Sequence, residues 1–138
     1  MASGLYAKAK QSFLANEIKW VTGTTDTFLV YLVDTNDYLV DLTNHEFATV
    51  FSGTGVVATG TIANPTASGG VADGDNVTLT SVTGDVSEAL VIVKSTGNLA
   101  TTRLIAYIDT VVSGLPVTPN GGDITITWDN GANKIFKL

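Results

Sequence analysis

The chain has 138 residues, of which 7 are basic and 13 acidic, for a formal net charge of −6, and it contains no cysteine. A disulfide frame, a zinc–thiolate centre and a cysteine nucleophile are therefore excluded. The acidic balance argues against nucleic acid as a partner, because gripping a phosphate backbone needs a basic face.

Charged residues make up 14% of the chain, against about 25% in ordinary globular domains. Thr, Ser, Asn and Gly fill the deficit, a composition suited to solvent-facing strand positions and broad, weakly charged contact surfaces. The basic residues Lys8, Lys10, Lys19, Lys94, Arg103, Lys134 and Lys137 form no stripe along the sequence. The length predicts a single domain over residues 1–138, with a core large enough to fold without staples. Absence of thiols fits assembly in a reducing cytoplasm. Residues 1–20 carry no apolar leader region, and no run approaches the roughly 18 apolar residues that span a bilayer. The expectation is a soluble chain with no membrane partner.

In chain order, the first predicted element is a helix over residues 3–16. Leu5, Ala9, Phe13 and Leu14 recur at helical spacing, with Ser3 as N-cap and Asn16 as the end. Such a helix either packs over its own sheet or docks as an arm on a neighbouring subunit. Ile18 and Trp20 begin the strand signals. Residues 27–33 (TFLVYLV) read as a central strand, 34–37 as a turn and 38–42 as a short strand. Thr43 and Glu46 fit a capping box that would start one or two helical turns over 44–50. Residues 55–63 read as a strand and 64–70 as a loop. Residues 76–82 alternate, with Val77, Leu79 and Val82 on the apolar side. Residues 88–94 and 103–109 are two strong apolar runs joined by a polar loop, and 114–122 is a Gly- and Pro-containing loop. The chain ends in two alternating runs, 124–128 and 133–138, around Asn130-Gly131, a pair favoured in type I′ turns. A terminal hairpin is expected, with Ile124, Ile126 and Trp128 on its apolar face. About nine short strands with regular turn signals predict an all-β, jelly-roll-like sandwich with one short N-terminal helix.

No motif carries chemistry. His45 is the only histidine and has no nucleophile elbow or oxyanion context near it, so a local structural role is expected. Asp73, Asp75 and Asn76 have the spacing of some calcium loops but lack the distal glutamate, and a turn is the better reading. Asp34, Asp37 and Asp41 read as turn and surface positions. A paired-carboxylate glycosidase has little to draw on in a short chain with three glutamates. The glycine-rich pieces 53–60 and 69–70 lack the Gly-Lys-Ser/Thr ending of a phosphate loop. Trp20, Trp128, Tyr31, Tyr107 and Phe28 fall within strand patterns and are expected in the core. No enzyme activity, cofactor or metal is expected.

Four stretches carry a resemblance: MASGLYAKAKQSFLANEIKW at the start, HEF at 45–47, LIAYIDT at 104–110, and GLPVTPNGGDITITWDNGANKIFKL at 114–138. Together they resemble small virion structural proteins of tailed bacteriophages. The resemblance implies a capsid cement, or decoration, protein with a jelly-roll-like sandwich. Such a protein is made in the host cytoplasm and bound outside the shell of the major capsid protein, its partner. A tail or baseplate component is the alternative, and a carbohydrate-binding module is a third class. The resemblance transfers no catalytic or ligand residue.

Contact residues are expected at the two ends of the chain. Leu5, Tyr6, Phe13 and Leu14 lie beside Lys8 and Lys10 on the helix, and Phe136 and Leu138 close the chain. An apolar terminus is tied down in its own sheet or against another chain. Two-fold contacts are the commonest closed arrangement, so a homodimer is expected.

Overall fold

The computed structural model describes residues 4–23, 26–51, 55–109, 116–128 and 134–138. Its elements in chain order are β1 (Gly4–Leu5), α1 (Ala7–Leu14), β2 (Thr27–Val33), one 3-10 turn (Ala48–Phe51), β3 (Val56–Thr61), β4 (Thr66–Ser68), β5 (Val71–Asp73), β6 (Val77–Leu79), β7 (Ala89–Ser95), β8 (Arg103–Ile108), β9 (Ile124–Ile126) and β10 (Phe136–Lys137). The described strands form a five-stranded sheet in the order β1-β8-β7-β2-β3, a three-stranded sheet β10-β5-β4 and the pair β6-β9. All pairings are antiparallel. The expected all-β sandwich with one short helix is what forms. Its pairing is nested, β1 with β8, β2 with β7 and β4 with β5, although the sheets are unequal in size.

The runs that read most strongly in sequence form the middle of the large sheet. β2, β7 and β8 are rich in β-branched, aromatic and leucine side chains and are buried almost throughout. Continuous burial means both faces of this sheet are covered. Phe28 and Tyr31 lie three residues apart on β2 and so project to opposite faces. On one face Phe28 packs on Trp20 (ring centroids 4.3 Å), which in turn meets Phe136 edge-on (5.0 Å). On the other, Tyr31 meets Phe51 (5.7 Å), which packs on Tyr38 (4.5 Å). The five aromatics expected in the core, Trp20, Phe28, Tyr31, Tyr107 and Trp128, are all buried. The β6-β9 pair closes on β3 at Gly60, where a Cβ would lie 2.5 Å from Val77 Cγ1 and 2.6 Å from Leu79 Cδ2.

Several expectations are corrected. The helix begins at Ala7, so Tyr6 holds the N-cap position, with no side-chain cap. Residues 4 and 5 instead extend the large sheet by pairing with Tyr107 and Ala106. Ser3 lies outside the described residues. Asn16 does end the helix: its φ is +63°, its N–H reaches the Phe13 carbonyl and the Glu17 N–H reaches that of Ser12. That pair of bonds is a Schellman motif.

Residues 18–20 and 38–42 are not strands, although Tyr38 and Val40 point in while Leu39 points out. The capping box does not form. Asp41 takes that place, accepting the N–H groups of Thr43 and Asn44 (both 3.0 Å). Glu46 is drawn away to Arg103 (3.0 Å), and the only turn of helix nearby begins later, at Ala48.

The terminal hairpin is also replaced. β9 pairs with β6 and β10 pairs with β5, not with each other, and the Asn130-Gly131 turn lies outside the described residues. The period-2 alternation survives, with Thr125 and Thr127 exposed while Ile126 and Trp128 are buried. A two-residue hairpin forms instead inside the expected loop 64–70. Gly69 and Gly70, with φ of +60° and +81°, join β4 to β5. Positive φ at both central positions is the requirement of a type I′ turn, which glycine meets without strain.

Candidate interaction surface

Helix α1 lies against β8 by its Ala9 and Ser12 side, both buried. Phe13, half-buried on the neighbouring side, reaches the Phe136 ring at 5.9 Å. The helix and the last strand of the chain are thereby joined. Where they meet, Phe13, Trp20, Val21, Val71, Phe136 and Leu138 line an apolar groove of about 180 Å³. Leu138 is 58% exposed and Val21 45% exposed. Leu14, next to Phe13, is 91% exposed.

Among the described residues no charged side chain lines the groove. Exposed Lys10 precedes Phe13 by about one helical turn, whereas exposed Lys137, paired with Val71, points to the opposite face of the small sheet from Phe136. Six of the seven cations fall into two groups. Arg103 is committed to Glu17 and Glu46 (3.0 Å each) and donates to Ser12 Oγ (3.1 Å) while lying over the Phe47 ring. Lys94 pairs with Asp26 (3.4 Å) and donates to the Glu17 carbonyl. Lys8, Lys10, Lys19 and Lys137 make no ion pair among the described residues.

The contact residues expected from sequence are thus partly gathered and partly removed. Phe13, Phe136 and Leu138 converge on the groove, with Leu14 beside it. Tyr6 is fully buried, and its hydroxyl bonds that of Tyr38 (2.7 Å). Leu5 is half-buried in β1, and Phe136 is mostly buried as a groove wall. Lys8 and Lys10 do not act together, since at about 100° per residue they stand about 160° apart around the helix. Lys10 lies toward Phe13 and Leu14, and Lys8 toward the Ser12 side. Trp20, Val21 and Val71 complete the lining, and nothing in the sequence alone signals them as surface contacts.

The groups with chemical potential are engaged in holding segments together. His45 Nδ1 meets the Tyr38 hydroxyl at 2.9 Å, extending the Tyr6–Tyr38 bond into a chain of three. Burial pushes the Tyr6 phenol far above its ordinary range, reinforced by Tyr38, and pushes Tyr38 up to about 12. The chain pins residues 38–45 onto the sheet. In the 73–76 segment, the Asp73 and Asp75 carbonyls accept the Trp20 and Trp128 indole N–H groups (2.9 Å each). Asn76 Oδ1 accepts the Trp128 N–H (3.1 Å), and the Asp75 carboxylate accepts from Asn64 (2.7 Å). The segment is a tether for two tryptophans.

One acidic group forms that sequence did not foresee. Carboxylate oxygens of Asp34, Asp37 and Asp85 lie within 4.8 Å of one another, and buried Asp34 accepts the Asn36 N–H (2.8 Å). A cleft of about 350 Å³ lies nearby in sequence terms, lined by Thr35, Tyr38, Leu39, Glu88, Tyr107 and Asp109 among others. No family model matches the chain, and no curated protein matches it either.

Proposed function

We propose that the chain is a non-enzymatic virion protein of a tailed bacteriophage, a cement protein that binds the outside of the major capsid shell and bridges its subunits. The observation that carries this is the exposed apolar groove where α1 meets β10. It is built for adhesion and lacks the pairing of nucleophile, base and oxyanion donor that acyl-transfer chemistry needs. The sequence resemblance at both chain ends supports the same role. The outward face of α1, with Lys10, Gln11 and Leu14 exposed, is the surface offered to the shell. A single weak contact there suffices, because many copies on a symmetric shell add up through multivalency.

Separating heads from tails in purified particles tests this. The chain is expected with the heads, in fixed ratio to the major capsid protein. Recovery only with tails would replace the proposal with a tail or baseplate component. Glycan binding by the free chain, with no particle association, would replace it with a carbohydrate-binding module.

A further inference from the structure

The cleft on the far side of the large sheet from the groove is charged. The groove belongs to the Phe28 face through Trp20. The opposite face carries Tyr31 and Tyr107 together, because both stand in register with Val91. Three central strands end beside that face. Val33 pairs with Ala89 and Leu90 with Ile108, so Thr35 after β2, Glu88 before β7 and Asp109 after β8 share one end of the sheet. Residues 38–40 cross there, with Tyr38 packed through Phe51 onto Tyr31. The cleft of about 350 Å³ is the space between.

Half-buried Glu88 and Asp109 line this cleft, and among the described residues no lysine, arginine or histidine does. Both carboxylates are held by donors. Glu88 Oε1 accepts the Thr35 N–H (3.0 Å) and the Thr35 hydroxyl (3.1 Å), while its Oε2 takes no hydrogen bond among the described residues. Asp109 accepts the Tyr107 hydroxyl. Burial raises that phenol, and the charges of Asp109 and Glu88 raise it further, so both carboxylates bear on one point of the cleft. The rest of the wall is aliphatic: Val40, Pro116 and Leu39, which is 87% exposed. A bare metal ion draws nothing from such a wall, and the carboxylates repel an anionic ligand. A cationic head on an aliphatic stem uses both parts.

We infer that this cleft docks an arginine side chain of a partner protein, its methylene stem against Leu39, Val40 and Pro116 and its guanidinium between Glu88 and Asp109. The planar fork of arginine presents five donors and so meets two carboxylates at once. Because Thr35 and Tyr107 already fix the acceptors, little side-chain freedom is lost on binding. The carboxylates of Asp34, Asp37 and Asp85, gathered in the adjoining concavity with no cation among its lining, extend the same sign of charge. That field steers a basic partner towards the cleft and turns an acidic one away. Docking of this kind holds whether or not the partner belongs to a virion. It also leaves the outward face of α1 free.

The probe is N-acetyl-arginine N-methylamide, with the neutral isostere N-acetyl-citrulline N-methylamide as its control. Each is titrated into the full chain at low salt, and backbone amide NMR shifts are followed. The arginine compound is expected to move the signals of Thr35, Leu39, Glu88 and Asp109 saturably, and the citrulline compound to leave them in place. Glu88→Gln and Asp109→Asn keep an acceptor for Thr35 and for Tyr107, and thermal unfolding checks that both variants fold. Each is expected to weaken binding about threefold to tenfold, and the two together to abolish it. An arginine compound that moves none of these signals up to its solubility limit overturns the inference. So does an equal response to citrulline, or a folded double variant that binds like the wild type. Calcium chloride moving these signals where the arginine compound does not would assign the cleft to a metal and overturn it as well. The readout does not depend on where the chain is found in particles, so this proposal and the virion proposal fail separately.

Discussion

The Phe13 ring lies 5.9 Å from the Phe136 ring, tilted by 49°, so the N-terminal helix and the last strand are each other's support. Phe136 also meets Trp20 edge-on and is 8% exposed. Phe136→Ala removes both ring contacts and leaves a cavity under the groove. We expect a loss of about 3–5 kcal/mol in urea unfolding, with Phe13→Ala, at a half-buried site, costing less.

The N-terminal segment is part of the core. Deleting residues 1–16 removes edge strand β1, fully buried Tyr6 and the Ser12 hydroxyl that Arg103 donates to. We expect the truncated chain to lose cooperative unfolding. Lys10→Glu, on the outward face of α1, should change stability by less than about 0.5 kcal/mol. It should weaken attachment to heads, mainly at low salt, because exposed charges are screened.

Gly60 sets how closely β6 approaches the large sheet. A methyl group there would overlap Val77 and Leu79, both buried and neither free to move into solvent. Gly60→Ala is expected to cost about 1–3 kcal/mol by overpacking, read as a lower midpoint of thermal unfolding. In a Leu79→Ala background the same change should cost less than it does in the wild-type chain if the clash is its source.

The Tyr6–Tyr38 pair gives stability an alkaline limit. Both phenols have folded pKa values above the unfolded value near 10, chiefly through burial, with Tyr38 at about 12 and Tyr6 higher still. Below about pH 10 both states keep these protons, and stability does not depend on them. Above it the unfolded chain binds fewer protons, so stability falls as pH rises. The fall ceases for Tyr38 only when the folded phenol ionises near 12. Each tyrosine contributes a slope of up to about 1.4 kcal/mol per pH unit. Tyr6→Phe should cost about 1 kcal/mol at neutral pH through its lost hydrogen bond. It should also flatten the decline above pH 10, followed by urea unfolding at stepped pH.

The elements legible in sequence are those specified by their own residues. β2, β7 and β8 are apolar runs with strand-forming side chains, and such runs fit the centre of a sheet wherever it forms. Strand partners were not legible. Asn130-Gly131 favours a hairpin locally, but Trp128 finds burial and two hydrogen bonds on the 75–76 segment, more than fifty residues away in sequence. β9 therefore joins β6 and leaves β10 to β5. The capping box failed for a similar reason: Arg103 claims Glu46 from across the sheet, and Asp41 caps the turn first. Phe13, Phe136 and Leu138 could each be named in advance, but their convergence is a property of the packed chain. The separation of Lys8 from Lys10 was available from helical periodicity alone, and so was the outward Leu39 from period-2 alternation.

The most direct test of the proposed role is saturation of DNA-emptied heads, stripped of this chain, with purified protein, followed by a difference map between decorated and bare heads. We expect uptake to plateau at a copy number fixed by shell symmetry, with added density on the exterior where capsid subunits meet. Uptake that never saturates, or heads that take up none of the folded chain, would contradict the account.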